Sequence, residues 1–187
     1  MATPMSLTRE ETLLLVVDVQ ERLFAAMDPE HREDVVQNIK ILAVMAQRLG
    51  LPRLVSEQYP KGLGRTLPEL KEALGPVEPI EKVAFSCCGA EGFAEQLRAT
   101  GARHVVMAGL ETHVCVLLTA LDLLSAGYGV HVVADAVCSR TREHRQLGLD
   151  QLRQAGAVVT STETVLFQLL RRADSDEFRS LQKLIKS

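Results

Sequence analysis

The chain has 187 residues, 47% of them hydrophobic, which predicts one substantial core in a single domain spanning 1–187. Its net charge of -3 and its scattered Lys and Arg residues argue against a nucleic-acid partner, because phosphate binding needs a basic face. The chain shows no signal-peptide pattern and no apolar run of about 20 residues, so we expect a cytoplasmic protein that does not bind membranes. The spacing of its four cysteines matches neither a disulfide framework nor a structural zinc site.

Alternating strand and helix patterns run through the first half of the chain. The continuous apolar run at 13–17 is typical of a strand buried on both faces of a parallel sheet, and it ends at Asp18. Asp28 and Pro29 predict the start of a long helix that ends before Gly50. The remaining predicted elements are a strand at 53–56, a loop at 57–66, a short helix at 67–74, a strand within 80–85 and a helix at 90–99.

The second half of the chain continues this alternation. A short Val-rich run at 104–108 predicts a buried strand. Apolar residues at helical spacing predict a helix that starts at His113, has Thr112 as its N-cap and ends at Gly127. The other predicted elements are strands at 130–134 and 157–160, a helix at 142–154 between them, a helix from Thr162 and a last helix at 176–186.

Strand candidates separated by helices predict a three-layer α/β/α fold. With right-handed crossovers they form a Rossmann-like six-stranded parallel sheet in the order 3-2-1-4-5-6. Such sheets bind ligands beyond the carboxyl ends of their strands, at the switch point between strands one and four. Asp18 and Cys115 follow those two strands, so we expect them to meet there. The turn after strand one contains no glycine, which disfavours a dinucleotide cofactor.

Cys115 occupies a position that suits a nucleophile. It falls in the first turn of the helix that follows the buried strand at 104–108. Unpaired backbone N–H groups and the helix dipole favour a thiolate there, so we expect its pKa to lie below the ordinary ~8.5. A buried apolar cysteine is the alternative, and position alone leaves both interpretations open.

A thiolate in this crevice needs a proton acceptor, for which there are three candidates. His113 precedes Cys115 by two residues and points to another helix face, which predicts a pocket-wall or surface residue. Asp18 is the better base, because a desolvated carboxylate at the end of an apolar strand requires a partner; the alternative is a cap or structural acceptor. Lys82 lies in the third strand, and the alternation there leaves open whether it faces the crevice or solvent.

Three segments together resemble the isochorismatase-like cysteine hydrolases, which include nicotinamidases and N-carbamoylsarcosine amidases. They are LLLVVDVQ around Asp18, EKVAFSCCG around Lys82 and GLETHVCV around Cys115, the last followed by TALDLLSAGYGVHVVADAVCSR. The segment SEQYPKGLGRTLPEL at 56–70 is similar to the subgroup that contains bacterial YcaC and the isochorismatase-domain-containing proteins.

The resemblance implies a catalytic triad. Asp18 would remove the thiol proton, Cys115 would attack an sp² carbon to form a covalent acyl-enzyme, and Lys82 would stabilise both anions. A cis peptide bond between Leu110 and Glu111 is also implied, with the backbone N–H groups of Glu111 and Cys115 forming an oxyanion hole. The implied pocket walls are Phe24, Gln58, Tyr59, Phe85 and His113.

Two departures from the family pattern narrow the expected activity. Nicotinamidases bind a divalent metal through an Asp-x-His motif and a second His after strand two, whereas this chain has Ser56-Glu57-Gln58 and no histidine between His31 and His104. We therefore expect no metal site. Isochorismatases that cleave a vinyl ether lack the nucleophilic cysteine, which this chain keeps.

These expectations combine into a metal-independent, cofactor-free cysteine hydrolase of a small amide or related C–N bond. It would act on a small-molecule substrate and form a homo-oligomer, as the family analogy implies. The alternative is a catalytically silent oligomeric binding or scaffold protein that retains the triad as inherited structure.

Overall fold

Six strands form the central sheet of the computed structural model, which describes residues 5–185. They are β1 (Thr12–Val17), β2 (Arg53–Gln58), β3 (Ile80–Lys82), β4 (His104–Leu110), β5 (Gly129–Cys138) and β6 (Val158–Thr160). Their order is β3-β2-β1-β4-β5-β6, and neighbouring strands pair in parallel. The predicted fold class and strand order are confirmed.

Helices connect the strands and cover both faces of the sheet. Nine α-helices lie between residues 5 and 185: α1 (Glu21–Ala25), α2 (Arg32–Arg48), α3 (Pro60–Leu63), α4 (Pro68–Leu74), α5 (Phe93–Ala99), α6 (Leu117–Ser125), α7 (Arg142–Gln154), α8 (Thr162–Leu170) and α9 (Asp176–Leu181). Among these helices, none is long and apolar enough to cross a membrane.

The sheet separates two apolar cores, and β1 contributes to both. Leu14 and Val16 pack in the core formed with α2 and α8, whereas Leu13 and Leu15 pack in the core formed with α5, α6 and α7. All six residues of β1 are buried, as are all seven of β4. Burial on both faces explains why these strands are continuous apolar runs instead of alternating ones.

The start of α2 and the loop after β2 differ from the prediction. α2 begins at Arg32 and not at the predicted Asp28, because the Asp28 carboxylate accepts the backbone N–H of Glu30 at 3.1 Å in the turn before the helix. The segment 57–66, which the sequence predicts to be a loop, contains regular secondary structure. β2 continues through Gln58, and α3 occupies the middle of the segment.

Two later helices also differ from their predicted limits. α5 begins at Phe93 and not at 90, because Gly92 directly before it adopts a left-handed backbone conformation with a φ of 78°. α9 ends at Leu181, where a 3₁₀ turn follows. The predicted last helix reaches Lys186, which lies outside the described residues.

Candidate active site

Asp18, Lys82 and Cys115 come together at the carboxyl end of the sheet. Asp18 directly follows β1, Lys82 is the last residue of β3, and Cys115 lies in a π-helical turn after β4. The Lys82 Nζ lies 2.7 Å from the Asp18 Oδ2, and both side chains are fully buried. The Cys115 side chain is also buried, and the charge of the Asp18 carboxylate acts on its thiol.

A close approach of β4 to β1 and a tight turn place Cys115. A Cβ at Gly109 would collide with the backbone of Val17, so only glycine allows the two strands to lie this close at the site. The peptide bond between Leu110 and Glu111 is cis. The Glu111 carbonyl oxygen then accepts N–H groups from both Val114 and Val116, which closes the π-helical turn Thr112–Val116.

Thr112 does not cap this turn, contrary to the prediction. The N-cap position belongs to Glu111, whose side chain makes no capping hydrogen bond. The hydroxyl of Thr112 is buried and finds no hydrogen-bond partner within residues 5–185. The π-helical geometry explains the error, because it widens the first turn and moves the exposed N–H groups away from the residue that an α-helical pattern would assign as cap.

Asp18 is held in a single orientation by its neighbours. Its backbone has a φ of 52°, a left-handed conformation that Asp tolerates better than most residues. The Oδ1 accepts the Ser56 hydroxyl at 2.8 Å, and the Oδ2 accepts the Lys82 ammonium. Asp18 is therefore a structural acceptor, and its role as a base stays a prediction.

Lys82 faces the crevice, which resolves the alternative left open by the sequence. Its Nζ lies 2.6 Å from the Gln58 Oε1, 2.9 Å from the Phe85 carbonyl oxygen and 3.3 Å from the Ala84 carbonyl oxygen, in addition to Asp18. An ammonium has three N–H donors, so these four acceptors occupy all of them.

The environment of Cys115 changes its acidity in the direction opposite to the prediction. Burial and, second to it, the nearby Asp18 charge raise the pKa of the Cys115 thiol to about 12, against the lowering effect of Lys82. The expectation of a Cys115 pKa below ~8.5 is therefore wrong. Desolvation disfavours the charged sulfur more than the helix start favours it.

Cys87 also shares this electrostatic environment. The charges of Asp18 and Lys82 act on Cys87 as well as on Cys115, although the sequence points to Cys115 alone as the thiol beside a lysine. Cys87 is fully buried, and burial raises its pKa to about 11. Cys88 is only partly buried, and burial raises its pKa as well.

Two of the expected pocket residues lie at the rim of the site. Tyr59 and Phe85 are 54% and 57% exposed. Tyr59 lines an open cleft of about 470 Å³ on the outer side of Lys82, together with Val83 and Ala90. A third expected wall residue, Gln58, binds Lys82 directly.

The remaining two expected pocket residues contact side chains other than Asp18, Lys82 and Cys115. Phe24 is half-buried under the guanidinium of Arg32, 5.1 Å from its ring centroid. The His113 Nδ1 lies 3.0 Å from the Ser139 Oγ, and its ring stacks on His144 with centroids 4.5 Å apart. These contacts agree with His113 as a wall or surface residue, which stays a prediction.

Two polar residues near the triad were missed by the sequence analysis. Ser56 binds Asp18, and the fully buried Gln20 donates its Nε2 to the carbonyl oxygens of Gln58 and Gly64. The sequence does hold one signal, since Ser56 follows the apolar pair Leu54 and Val55 and ends the predicted strand at 53–56. Its contact with Asp18 depends on the pairing of β1 with β2, which aligns Val17 with Ser56 and is not readable from either strand alone.

One group of three possible metal ligands occurs among residues 5–185, and it lies outside the triad. It consists of Asp28, Glu30 and His31 before α2. The Asp28 carboxylate is already engaged, 2.8 Å from the His31 Nδ1. Around Lys82, the side chains at the positions of the nicotinamidase metal motif, Ser56 and Gln58, bind Asp18 and Lys82 instead. This donor set does not fit a metal ion.

The chain is similar to known proteins along most of its length. The family model named Isochorismatase domain matches residues 12–164. Isochorismatase domain-containing protein 1 of Salmo salar is 39% identical over 176 residues, which are 94% of this chain but only 61% of the salmon protein. Isochorismatase domain-containing protein 2 of Xenopus laevis is 37% identical over 185 residues, covering 96% of this chain and 85% of that protein.

Two solved structures share the fold almost completely. The MAR1 ribonuclease of Caenorhabditis elegans has a TM-score of 0.91 and 36% identity, covering 97% of this chain and 93% of the nematode chain. YcaC from Pseudomonas aeruginosa, with hexane-2,5-diol and covalent acrylamide, has a TM-score of 0.89 and 26% identity, covering 100% and 98%.

Proposed function

The chain belongs to the isochorismatase family and has its hydrolase fold, and from that premise we propose that it is a metal-independent cysteine hydrolase. The reaction would cleave a small amide or a related C–N bond. The observation that carries the proposal is the fully buried ion pair of Asp18 and Lys82 beside the buried Cys115 thiol, on which both charges act. A nucleophile next to an oriented base is the arrangement that covalent catalysis requires.

The first half of the proposed reaction forms an acyl-enzyme. Asp18 takes the thiol proton as the Cys115 sulfur bonds to the carbonyl carbon, and the carbonyl π electrons move onto oxygen. The backbone N–H groups of Glu111 and Cys115 would bind this oxyanion, and one such donor typically contributes about 2.7–4 kcal/mol in the transition state. The C–N bond breaks as the oxyanion collapses, and the proton on Asp18 passes to the leaving nitrogen.

The second half releases the acid product. Asp18, again ionised, takes a proton from water as the water oxygen bonds to the thioester carbon. The C–S bond then breaks, and the proton returns from Asp18 to the sulfur. Lys82 remains an ammonium throughout and stabilises whichever of the two groups is negative.

The raised pKa of Cys115 defines when the proton moves. Because burial raises this pKa to about 12, the resting thiol is protonated at neutral pH. Proton transfer to Asp18 therefore accompanies the attack instead of preceding it. A preformed base within hydrogen-bond reach is what such a neutral nucleophile needs.

A screen of small primary amides for ammonia release tests this function directly. The wild-type protein should release ammonia from at least one amide, Cys115→Ala should release none, and EDTA should leave the wild-type rate unchanged. Cys138→Ala is the matched control, because it removes a buried thiol outside the triad. Equal ammonia release by Cys115→Ala would contradict the cysteine mechanism, and loss of activity in EDTA would contradict metal independence.

The ribonuclease name of the nematode structural neighbour does not carry over into this proposal. RNA binding depends on Lys and Arg side chains that neutralise phosphates, whereas this chain has 24 Asp and Glu against 21 Lys and Arg. RNA incubated with the wild-type protein should therefore stay intact. Cleavage that Cys115→Ala abolishes would reassign the substrate class while leaving the nucleophile in place.

We also propose that the protein forms a homo-oligomer in the cytoplasm. Several large apolar side chains are exposed in the single chain, as expected where a second copy covers them. They include Val83, Phe85, Leu147 and Tyr59. Light scattering coupled to size exclusion should give a mass that is a multiple of the 20.5 kDa chain, and a monomer would contradict the proposal.

A further inference from the structure

The Lys82 ammonium has no N–H group left for a substrate. Its four acceptors are the Asp18 Oδ2, the Gln58 Oε1 and two backbone carbonyl oxygens of the following loop. The shortest of these contacts, 2.6 Å, is the one to Gln58. Lys82 can therefore act on the reaction only through its charge and its position, which makes the residues that fix this position important for the chemistry.

The orientation of the Gln58 amide is determined by two contacts. Its Nε2 donates to the Val83 carbonyl oxygen at 2.9 Å, which directs its Oε1 towards Lys82. The flipped amide would place its N–H groups against the ammonium and its oxygen against a carbonyl oxygen, so both contacts would become repulsive. Gln58 thus presents an acceptor to Lys82 in one arrangement only.

Gln20 holds the backbone of Gln58 in turn. The Gln20 Oε1 accepts the Gln58 N–H at 2.7 Å, and the Gln20 Nε2 donates to the Gln58 carbonyl oxygen at 3.0 Å. The same Nε2 donates to the Gly64 carbonyl oxygen at 2.8 Å, and Gln20 is fully buried. One side chain therefore connects the end of β1 to the end of β2 and to the loop that follows it.

We propose that Gln58 is a positioning residue that fixes the Lys82 ammonium against Asp18, with Gln20 as its anchor. This inference rests on the proposed function, because it assigns Gln58 a role within that triad. It replaces the expected role of Gln58 as a pocket wall. Without the Gln58 acceptor, the ammonium can move towards the loop carbonyl oxygens and away from Asp18, and it then stabilises the Cys115 thiolate less.

The test measures the rate of Cys115 alkylation by iodoacetamide from pH 7 to pH 10, by peptide mapping. Gln58→Met removes the acceptor at similar size, and Gln58→Asn keeps an amide that is one methylene too short. Each should displace the rate profile by about one pH unit to higher pH, a roughly tenfold slower reaction at any fixed pH. Gln96→Met, at an exposed position on α5, is the matched control and should follow the wild-type profile.

The outcomes separate this inference from the proposed function. A shifted profile in both Gln58 variants, with unfolding temperatures close to wild type, supports the positioning role. An unchanged profile in either folded variant overturns it, because a merely structural residue would lower stability alone. If Lys82→Met also leaves the rate profile unchanged, the proposed stabilisation of the Cys115 thiolate by Lys82 is wrong. If Lys82→Met shifts the profile and the Gln58 variants do not, only the positioning role of Gln58 is wrong.

Discussion

Two buried pairs of ionisable side chains lie at opposite ends of the sheet and satisfy their polar atoms differently. At the carboxyl end, Lys82 and Asp18 form an ion pair in which each charged group has further hydrogen-bond partners. At the amino end, the His131 Nε2 lies 3.3 Å from the His104 Nδ1, and the His131 Nδ1 has no partner among the described residues.

As a consequence, only the carboxyl end of the sheet retains buried charged side chains. Burial lowers the pKa of His131 to about 4, with the nearby His104 as a second cause, and burial likewise lowers the pKa of His104. The charges that face His104 are those of Glu11 and Arg103. A buried charge persists only where opposite charge and hydrogen bonds compensate desolvation, and that combination occurs at the candidate active site.

Removing the Lys82 cation should have the largest effect on stability and activity. Lys82→Met leaves the Asp18 carboxylate buried without its counter-ion, which typically costs about 3–5 kcal/mol of unfolding free energy. The same change should abolish any hydrolase activity that Cys115→Ala abolishes, since residues acting as a unit lose function together. Urea unfolding and ammonia release measure the two effects.

The exposed Lys71 on α4 provides the control for that substitution. Lys71→Met should change the free energy of unfolding by less than about 0.5 kcal/mol. Similar stability and activity in the two lysine variants would show that the ion pair at the carboxyl end does not differ energetically from a surface charge.

Acid should destabilise the protein through the histidine pair. Below the ordinary pKa of 6.5 the unfolded chain binds a proton at His131, whereas the folded chain does so only near pH 4. Stability should therefore fall as the pH drops through this window, by roughly 3 kcal/mol from this group. In urea unfolding at pH 7 and pH 4, His131→Phe should lose less stability than wild type between the two values.

Val133→Ala serves as the control, because it removes apolar volume from β5 without a titrating group. It should lower stability by a similar amount at both pH values. If His131→Phe and Val133→Ala show the same acid dependence as wild type, the neutral buried pair is not the cause.

Alkali should act through the thiols near the ion pair, with a smaller effect. The pKa of Cys87 rises from the ordinary 9.0 to about 11 on folding. Its contribution to stability is therefore complete below pH 9 and is lost as the pH rises towards 11, with about 1 kcal/mol lost by pH 10. Cys87→Ala should reduce the difference in urea unfolding between pH 8 and pH 10, and an unchanged difference would argue against burial of the thiol.

The smallest effects should come from two threonine hydroxyls that differ in their partners. The Thr141 Oγ1 accepts the backbone N–H of His144 at the start of α7, whereas the buried Thr112 hydroxyl has no partner in the described chain. Thr141→Val should cost about 1 kcal/mol of stability, and Thr112→Val should change it by less than about 0.5 kcal/mol. Equal losses in urea unfolding would mean that Thr112 has a partner.

The sheet was predictable because its strands carry unambiguous patterns. The apolar runs that became β1 and β4 can be buried only in a two-sided parallel sheet, and the helices between the strands then determine the order. Asp18 and Cys115 follow from this topology alone. The role of Lys82 came from the family resemblance, since alternation in so short a strand leaves its direction open.

The failures have a common physical origin in contacts between segments distant in sequence. Ser56 and Gln20 meet the triad only because β1 and β2 pair in one register. The predicted shift of the Cys115 pKa has the wrong direction. A helix start indicates only that nearby backbone groups stabilise a thiolate, whereas the desolvation that raises the pKa depends on all the residues packed around the sulfur. The π-helical turn that displaced the predicted cap likewise has no periodic signature in the sequence.

Covalent modification by acrylamide tests whether Asp18 and Lys82 activate Cys115 as a nucleophile. The reaction requires a nucleophilic thiol and no knowledge of the substrate. The protein, with Asp18→Asn and Lys82→Met variants beside it, is incubated with acrylamide at pH 8, and the adduct is located by peptide mapping. In the wild type we expect Cys115 to be the first cysteine modified. In both variants the Cys115 adduct should form at least tenfold more slowly. Preferential modification of Cys88, or equal rates at Cys115 in all three proteins, would contradict it.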